Sequence, residues 1–355
     1  MLIKQLELSE KEALLDFLRI AYAENPRMSD ERFWDWHFLG NPYVEANNLP
    51  VWIAKDENEI VAQLAATPVK LKVGEETRDA IWILDLVVHP DYRRKGLAKK
   101  LVAAAEAFCP LRLGMNTAEQ HSTELLESLG WKMFGKVSRY NKLLFPGEAL
   151  REISRIKLLR RVANAAFAPL RPRLDRDFFK NSSLRIVETF DSSFDDLWRA
   201  SSVQWMCAVK RESAILRWQY ENQPDKKFDI LGYYENEKLL GYAVLYFRKP
   251  GIVGELAKAA ITDLCYHPSK PGEIINSLLQ GALQLALERR AGALVTDIID
   301  TSVESQLKSL GFSRVKSPLQ LLVKSAHYQE ILEDKRRWFI TRGDSDASIF
   351  EQPNL

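Results

Sequence analysis

An internal repeat is the feature that most limits how this chain of 355 residues can fold. Residues 85–90 (Asp-Leu-Val-Val-His-Pro) recur at 263–268 as Asp-Leu-Cys-Tyr-His-Pro, 178 positions later. Three further matches keep the same order at offsets of 178, 181 and 182; they join 57–59 to 235–237, 128–131 to 309–312, and Trp36 and Pro42 to Trp218 and Pro224. Matches in one order at nearly one offset predict two copies of a single domain.

The repeat sets the predicted domain boundaries. We expect the copies at 1–145 and 183–325, joined by a linker at 146–182 and followed by an extension with a helix and a strand at 326–355. The length agrees, because domains usually hold about 100–200 residues.

Each copy alternates short strand patterns with amphipathic helices. Residues 80–88 are apolar and rich in β-branched side chains, which is typical of a buried central strand. Residues 96–108 place their apolar side chains at helical spacing. Shorter strands are expected at 51–54, 60–67 and 69–73. The predicted fold class is therefore α/β (α+β), with two tandem domains that each hold a mixed, mostly antiparallel sheet flanked by helices.

The composition excludes several classes of function. A formal net charge of +2 gives no global argument for nucleic acid, and the three cysteines have no metal-ligand or disulfide spacing, so we expect no metal. The first residues lack a signal-peptide pattern, and no apolar run approaches the roughly 20 residues that span a bilayer. These observations predict a cytoplasmic protein.

The strongest chemical motif follows the predicted central strand. Residues 93–98 read Arg-Arg-Lys-Gly-Leu-Ala, that is Arg-x-x-Gly-x-Ala, at a strand-to-helix junction. The first turn of a helix offers unpaired backbone N–H groups at the positive end of its dipole, which suits a diphosphate. Gly96 has no Cβ and lets phosphates approach the backbone. We call residues 93–99 the basic turn.

The basic turn, preceded by Val-His-Pro at 88–90, resembles the acetyl-coenzyme A signature of the GNAT family of N-acetyltransferases. The resemblance covers 1–145 directly and 183–325 through the repeat. It implies acetyl-CoA as co-substrate, with the pantetheine arm paired to the central strand and the pyrophosphate held by the basic turn. The cofactor-binding residues so implied are Leu86, Val87, Val88, Arg93, Arg94, Lys95, Gly96, Leu97, Ala98, Lys99 and Asn116.

The second copy lacks the basic turn. After His267 and Pro268 the chain continues with Ser-Lys-Pro-Gly-Glu, where Pro271 removes a backbone donor and Glu273 adds negative charge. The sequence therefore predicts one cofactor per chain, bound in the first copy.

The catalytic groups are harder to assign. Asp85 is the candidate base by its place on the central strand, although its repetition as Asp263 also fits a structural carboxylate. The resemblance implies a tyrosine acid four residues before the glycine of 128–131, but that position is Leu126, and Leu307 in the second copy. Tyr140 is the fallback acid.

An aromatic cluster at 33–38 is the candidate acceptor wall. Trp36 has its echo in Trp218 and is expected in the core, whereas Trp34 and His37 are expected to face the substrate. For the remaining polar candidates we favour non-catalytic roles. These are surface positions for Glu119 and His121, a turn role for His89, and a solvated turn for the acidic run at 344–346.

The linker carries an excess of basic residues. Between 151 and 180 there are nine Lys or Arg against three Asp or Glu, with apolar residues at helical spacing. A helix packed between domains with a solvated basic face is the first interpretation, and contact with an anionic membrane surface is the second. Nucleic acid is disfavoured because no aromatic stacking residues accompany the charges.

Together these features predict an N-acetyltransferase that moves an acetyl or other acyl group from acetyl-CoA to a primary amine of a small molecule, such as an amino sugar or amino acid. The second copy would complete the acceptor pocket or form a homodimer. The alternative is a non-catalytic acyl-CoA-binding module that signals through the linker. A relative of the aminoacyl-transferring enzymes of cell-wall synthesis ranks lowest, because such enzymes do not need the basic turn.

Overall fold

A computed structural model gives the structure of the chain and describes residues 1–117, 121–149, 157–248, 258–325, 332 and 334–344. The strands of the first half are β1 (Leu2–Gln5), β2 (Val51–Asp56), β3 (Glu59–Val73), β4 (Glu76–Val88), β5 (Arg112–Thr117), β6 (Lys132–Lys136) and β7 (Ser138–Leu143). Its helices are α1 (Lys11–Ala21), α2 (Glu31–Trp34), α3 (Leu97–Phe108), α4 (His121–Ser128) and the short α5 (Pro146–Ala149).

The second half repeats this order of elements, with two added strands, after the linker helix α6 (Lys157–Phe167). Its strands are β8 (Leu184–Val187), β9 (Cys207–Val209), β10 (Phe228–Glu235), β11 (Lys238–Arg248), β12 (Lys258–Tyr266), β13 (Ala293–Ile299), β14 (Ser313–Val315), β15 (Leu319–Lys324) and β16 (Trp338–Thr341). Its helices are α7 (Ser192–Ser201), α8 (Ser213–Leu216), α9 (Pro271–Glu288) and α10 (Thr301–Ser309). β16 is the strand expected in the extension at 326–355.

The strands join in one continuous sheet. Its order is β6-β15-β5-β4-β3-β9-β16-β13-β12-β11-β10-β8, with β1, β2, β7 and β14 paired at its sides. Most neighbours are antiparallel, and β4–β5, β12–β13 and β9–β16 are parallel pairs. The predicted class, a mixed and mostly antiparallel sheet with flanking helices, is confirmed.

The two halves exchange their last strands. β15 from the second half lies between β5 and β6 of the first. In return, β7 from the first half lies between β13 and β14 of the second. The domain boundaries 1–145 and 183–325 remain a prediction, and the exchange adds that each half completes its sheet with a strand of the other.

Helices cover both faces of the sheet in the first half. Side chains of α1 and α2 pack on one face against Ile53, Ala65 and Leu84. Side chains of α3 and α4 pack on the other face against Ile81 and Ile83. Within the described ranges, no helix is both long enough and apolar enough to cross a membrane.

Trp36 and Trp218 pack against each other where the two halves meet. Each lies in a π-helical turn, Asp35–Leu39 or Arg217–Glu221. Each indole N–H donates to the other residue's carbonyl at 2.7 Å, and the stacked rings lie 5.2 Å apart. Both side chains are buried, so the core role predicted for Trp36 is confirmed.

Candidate functional site

A cleft opens where β4 and β5 part. The two strands pair in parallel only between Ile81–Ile83 and Arg112–Gly114. Beyond this point β5 continues along β15, while β4 continues to Val88 along β3. The edge of β4 at 84–88 therefore has no partner strand on the β5 side among the described residues, and its backbone groups line the cleft.

The residues expected to pair with a pantetheine arm lie on this edge. Leu86, Val87 and Val88 are half-buried, as a strand that borders an open cleft should be. A β-bulge shifts the register between β3 and β4 at Gln63 and Ala65, and Asp85 within it has φ +55°. Asn116 belongs to β5 by its backbone, opposite Gln320, but its side chain lies outside the described residues.

The basic turn leads from this cleft into α3. A 3-10 turn at Pro90–Tyr92 follows β4, and Gly96 caps the helix with φ +75°. The first helical N–H bond runs from Lys100 to the Gly96 carbonyl at 3.3 Å. The amides of residues 97–99 thus have no acceptor within the helix. A Cβ placed on Gly96 would meet no atom within 4 Å, so there is open space beside the residue that precedes these amides.

Positive side chains surround that open space. Arg93, Arg94, Lys95 and Lys99 are exposed, and no ion pair holds them among the described residues. Lys95 lies over the ring of Tyr92, with Nζ 4.3 Å from the centroid, and Arg93 Nε donates to the Val88 carbonyl at 3.3 Å. The turn combines free backbone donors with exposed cations, which is the combination that binds a diphosphate.

Asp85 lies at the bulge beside the cleft with two neutral donors. Its carboxylate accepts hydrogen bonds from the Tyr22 hydroxyl and the Gln63 amide nitrogen. Burial raises the pKa of Asp85 to about 6, and the two hydrogen bonds oppose this shift. Such a carboxyl is poised to exchange a proton near neutral pH.

Neither partner of Asp85 was among the residues predicted from the sequence. Gln63 is 1% exposed, and its carbonyl oxygen has no hydrogen-bond partner among the described residues. A glutamine within the apolar run of β3 could have indicated a site from the sequence, because a buried polar group needs a hydrogen-bond partner. Tyr22 gave no comparable sign, since a tyrosine at the end of an amphipathic helix is ordinary.

The matching carboxylate in the second half has a different environment. Asp263 accepts from Arg211 Nε at 3.0 Å, Tyr242 at 2.8 Å and Thr341 at 2.8 Å. Tyr242 corresponds to Gln63, because it pairs with Cys265 as Gln63 pairs with Val87. Asp263 therefore belongs to a buried ion pair, whereas neutral hydrogen-bond donors hold Asp85.

The equivalent cleft in the second half is filled by the chain itself. β12 pairs with β13 only as far as Ile261 and Thr296, and β16 then pairs with β13 at Ile298 and Ile299. Because β7 occupies the other edge of β13 up to Ile298, β16 lies on the edge that β12 leaves. Phe339 of β16 stacks on Trp205 with ring centroids 3.9 Å apart.

The helix start after β12 also differs from the basic turn. α9 begins at Pro271, which has no N–H to offer a phosphate. Glu273 lies in its first turn and accepts a hydrogen bond from the Tyr233 hydroxyl at 2.9 Å.

Comparison with known proteins agrees with this geometry. The family model described as an acetyltransferase (GNAT) domain matches residues 2–133, which contain the cleft, the basic turn and Asp85. Residues 2–133 are a GNAT domain. No curated protein matches the sequence.

Solved structures extend the likeness of fold over nearly the whole chain. A Saccharomyces cerevisiae N-myristoyltransferase with bound myristoyl-CoA superposes with a TM-score of 0.62 at 12% identity, over 91% of this chain and 82% of that one. An Enterococcus faecalis V583 protein described as a probable N-acyltransferase has a TM-score of 0.61 at 15% identity, over 94% and 74% of the two chains. At such identities the likeness establishes the fold alone.

Three residues expected at the site of the GNAT domain lie elsewhere. Tyr140 is fully buried in β7, which the strand exchange carries to the second half, and its hydroxyl donates to Glu304 at 2.9 Å. Burial, and then that hydrogen bond, raise the pKa of Tyr140 to about 12. The expectation that Tyr140 is the acid of the GNAT domain is therefore wrong, because the residue is in another part of the sheet.

Trp34 and His37 do not face a substrate either. Trp34 is 2% exposed and packs with α1 and Phe38. His37 is 2% exposed, with Nε2 2.8 Å from Thr67 Oγ1, and burial together with the nearby Arg27 charge lowers the pKa of His37 to about 3. Both are core residues, because the helical turn that carries Trp36 to the contact between the halves also buries its neighbours.

The remaining candidates have structural roles or lie outside the described residues. His89 accepts at Nδ1 from the Asp91 amide, and His267 does the same from Ser269, so both close turns. Leu126, in the place of the family's acid, is buried in the core under α3. Glu119, Ser345, Asp346 and the side chain of His121 are outside the described ranges. Within those ranges, no three His, Cys, Asp or Glu side chains are arranged to hold a metal.

Proposed function

We propose that this protein is an acetyl-CoA-dependent N-acetyltransferase that acts on a primary amine of a small molecule. The observation that carries the proposal is the continuous path from the unpaired edge of β4 to the open amides of the basic turn. The family description, an acetyltransferase domain over residues 2–133, supports acetyl as the group transferred.

The residues of the path fit a coenzyme A thioester. The amides of 97–99, the open face of Gly96 and the exposed Arg94, Lys95 and Lys99 would hold the pyrophosphate. Backbone groups at 86–88 would pair with the pantetheine arm as an added strand does. A thioester in this arrangement supplies an activated acyl group beside the bulge of Asp85.

Asp85 is the proposed base. Transfer forms a C–N bond between the amine and the acyl carbon and breaks the C–S bond. Asp85 accepts the proton that the amine loses, and the departing thiolate takes a proton from water. A carboxyl whose pKa is about 6 is largely ionised at pH 7 and can accept that proton. The free carbonyl oxygen of Gln63 would accept a hydrogen bond from the amine and orient it.

A second candidate function is supported by Leu126. The position of the family's tyrosine acid holds an apolar side chain that is 4% exposed, so the described residues supply no replacement there. A domain that binds acyl-CoA without transfer would have the same basic turn and no need of an acid.

We also propose one acyl-CoA site per chain. β16 occupies the second cleft, and α9 begins with proline where the basic turn would be. Both observations support binding in the first half alone.

The two functions are separated by turnover. The protein is incubated with acetyl-CoA and a panel of amino sugars, amino acids, polyamines and peptides, and release of free thiol is followed. Thiol release above hydrolysis with one acceptor class supports the enzyme, whereas tight binding without turnover over the whole panel supports the binding module. Repeating the productive reaction with longer acyl-CoA donors tests the proposed preference for acetyl, which fails if a long-chain donor is used more efficiently.

A further inference from the structure

The linker helix α6 is attached to the protein by its polar side. Arg160 Nε donates to the Gly147 carbonyl at 3.0 Å and its guanidinium pairs with Glu148 at 3.2 Å. Asn164, one turn further on, accepts from the Gly147 amide at 2.7 Å. A side chain on Gly147 would collide with the Arg160 backbone at 2.2 Å, so the close approach of α5 and α6 depends on this glycine.

The apolar side of the same helix faces outward. Leu158 and Val162 are 69% and 56% exposed, Leu159 beside them is 48% exposed, and none of the residues of α6 is buried. At 3.6 residues per turn, the row of Leu158 and Val162 lies roughly opposite the row of Arg160 and Asn164. This is the reverse of a helix on the surface of a globular protein, which turns its apolar stripe to the core.

Further apolar and basic side chains continue this surface. Leu170 and Leu174 are 74% and 45% exposed, so five of the sixteen exposed large apolar side chains of the described chain lie between 158 and 174. The exposed cations around them are Lys157, Arg161, Arg173 and Arg176, none of which has an ion pair with the described residues. We call this surface, residues 157–176, the linker face. Residues 151–156, including Arg151, Ile153, Arg155 and Ile156, lie outside the described ranges.

We propose that the linker face docks on an anionic membrane surface, with the leucines and Val162 in the acyl boundary and the cations among the headgroups. An outward apolar stripe bordered by Lys and Arg is the arrangement that binds such a surface. A second copy of the chain is a poorer occupant, because it would bring the same unpaired cations together. Nucleic acid is poorer too, because the centre of the face is aliphatic.

The test is sedimentation of the 355-residue chain with phosphatidylcholine vesicles that contain or lack phosphatidylglycerol. We expect binding to the anionic vesicles that weakens as salt is added, and little binding to the neutral ones. L158E and V162E should each lower the partition coefficient about tenfold or more, since each removes a buried aliphatic side chain and adds a repelled charge. R173Q combined with R176Q should lower it about tenfold on anionic vesicles only.

The matched control is V203E, which makes the same change at another exposed valine, 72% accessible, in the second half. It should bind vesicles like the unchanged protein, and all variants should keep the same melting temperature because the altered side chains are exposed. The proposal is overturned if L158E binds as well as the unchanged chain, or if no vesicle is bound. A concentration-dependent dimer that L158E dissociates would also overturn it and would assign the linker face to a second copy.

Discussion

At the scale of single residues, Asp85 decides whether the cleft can catalyse as well as bind. We expect Asp85→Asn to lower kcat by about 10²–10⁴-fold, the range for loss of a general base. In the unchanged protein, kcat with donor and amine both saturating should rise with pH through about 6, because only the ionised carboxylate accepts the proton, and this limb should vanish in the variant. Rates measured from pH 5 to 8 at saturating donor and amine check both outcomes.

The thermal stability of the Asp85→Asn variant distinguishes a catalytic base from a structural carboxylate. The pKa of Asp85 is raised above its ordinary 3.8, so ionising the group removes stability as pH rises from about 4 to 6. The neutral amide of the Asp85→Asn variant avoids that loss, and we expect its melting temperature at pH 7.5 to be no lower than that of the unchanged protein. An unfolded or strongly destabilised variant, with turnover lost only in proportion, would contradict the role of base.

Gly96 gives the residue-scale test of binding. Gly96→Glu places a carboxylate in the open space before the amides of α3, and we expect acetyl-CoA affinity to be lost. Gly130→Glu is the matched control, because Gly130 also has positive φ (+82°) and also has no atom within 4 Å of an added Cβ. Both substitutions strain the backbone by roughly 1–2 kcal/mol, so equal melting temperatures with unequal affinities are expected. Equal affinities would remove the basic turn from the site.

Some residues of the site could be predicted from the sequence, and others could not. The basic turn was predictable because anion binding at a helix N-terminus and close approach to a glycine depend only on residues next to each other in the sequence. The core positions of Trp34 and His37 were not, since burial around Trp36 depends on a contact with Trp218 in the other half. Gln63 was partly predictable. A polar residue in an apolar strand is visible in the sequence, but its partner Asp85, 22 positions away, is not.

At the scale of elements, the exchange of β7 and β15 could not be read from the sequence. A strand has the same alternating pattern whether it completes its own sheet or a neighbour's, because its side chains need only one buried face. The order of strands and helices could be predicted from the sequence, since the internal repeat shows four matches at nearly one offset. The position of Tyr140 could therefore not be predicted, because it depends on where its strand β7 pairs.

β16 gives an element-scale prediction. Phe339 is fully buried between Trp205 and Tyr266, so Phe339→Ala should lower the free energy of unfolding by about 3–5 kcal/mol. Acetyl-CoA affinity should stay within about twofold of the original, because the altered cleft is the one that the strand already fills. Denaturant titration and binding measurements on one preparation check this. An unchanged stability would mean that β16 does not occupy the second cleft.

At the scale of the whole molecule, the exchange couples the folding of the two halves. Residues 1–145 produced alone would leave β5 and β6 without β15, and exposed strand edges promote aggregation. We expect this fragment to be unfolded or associated, and co-expression with residues 146–355 to restore a folded complex. A monomeric fragment with a cooperative melting transition would contradict the coupling.

We propose above all that one acyl-CoA binds in the cleft of the GNAT domain, on the edge of β4 and the basic turn. Isothermal titration of the full chain with acetyl-CoA tests it most directly, with Gly96→Glu and Gly130→Glu titrated beside it. We expect one site per chain, lost in Gly96→Glu and kept in Gly130→Glu. Two sites per chain, or an affinity that Gly96→Glu leaves intact, would contradict it.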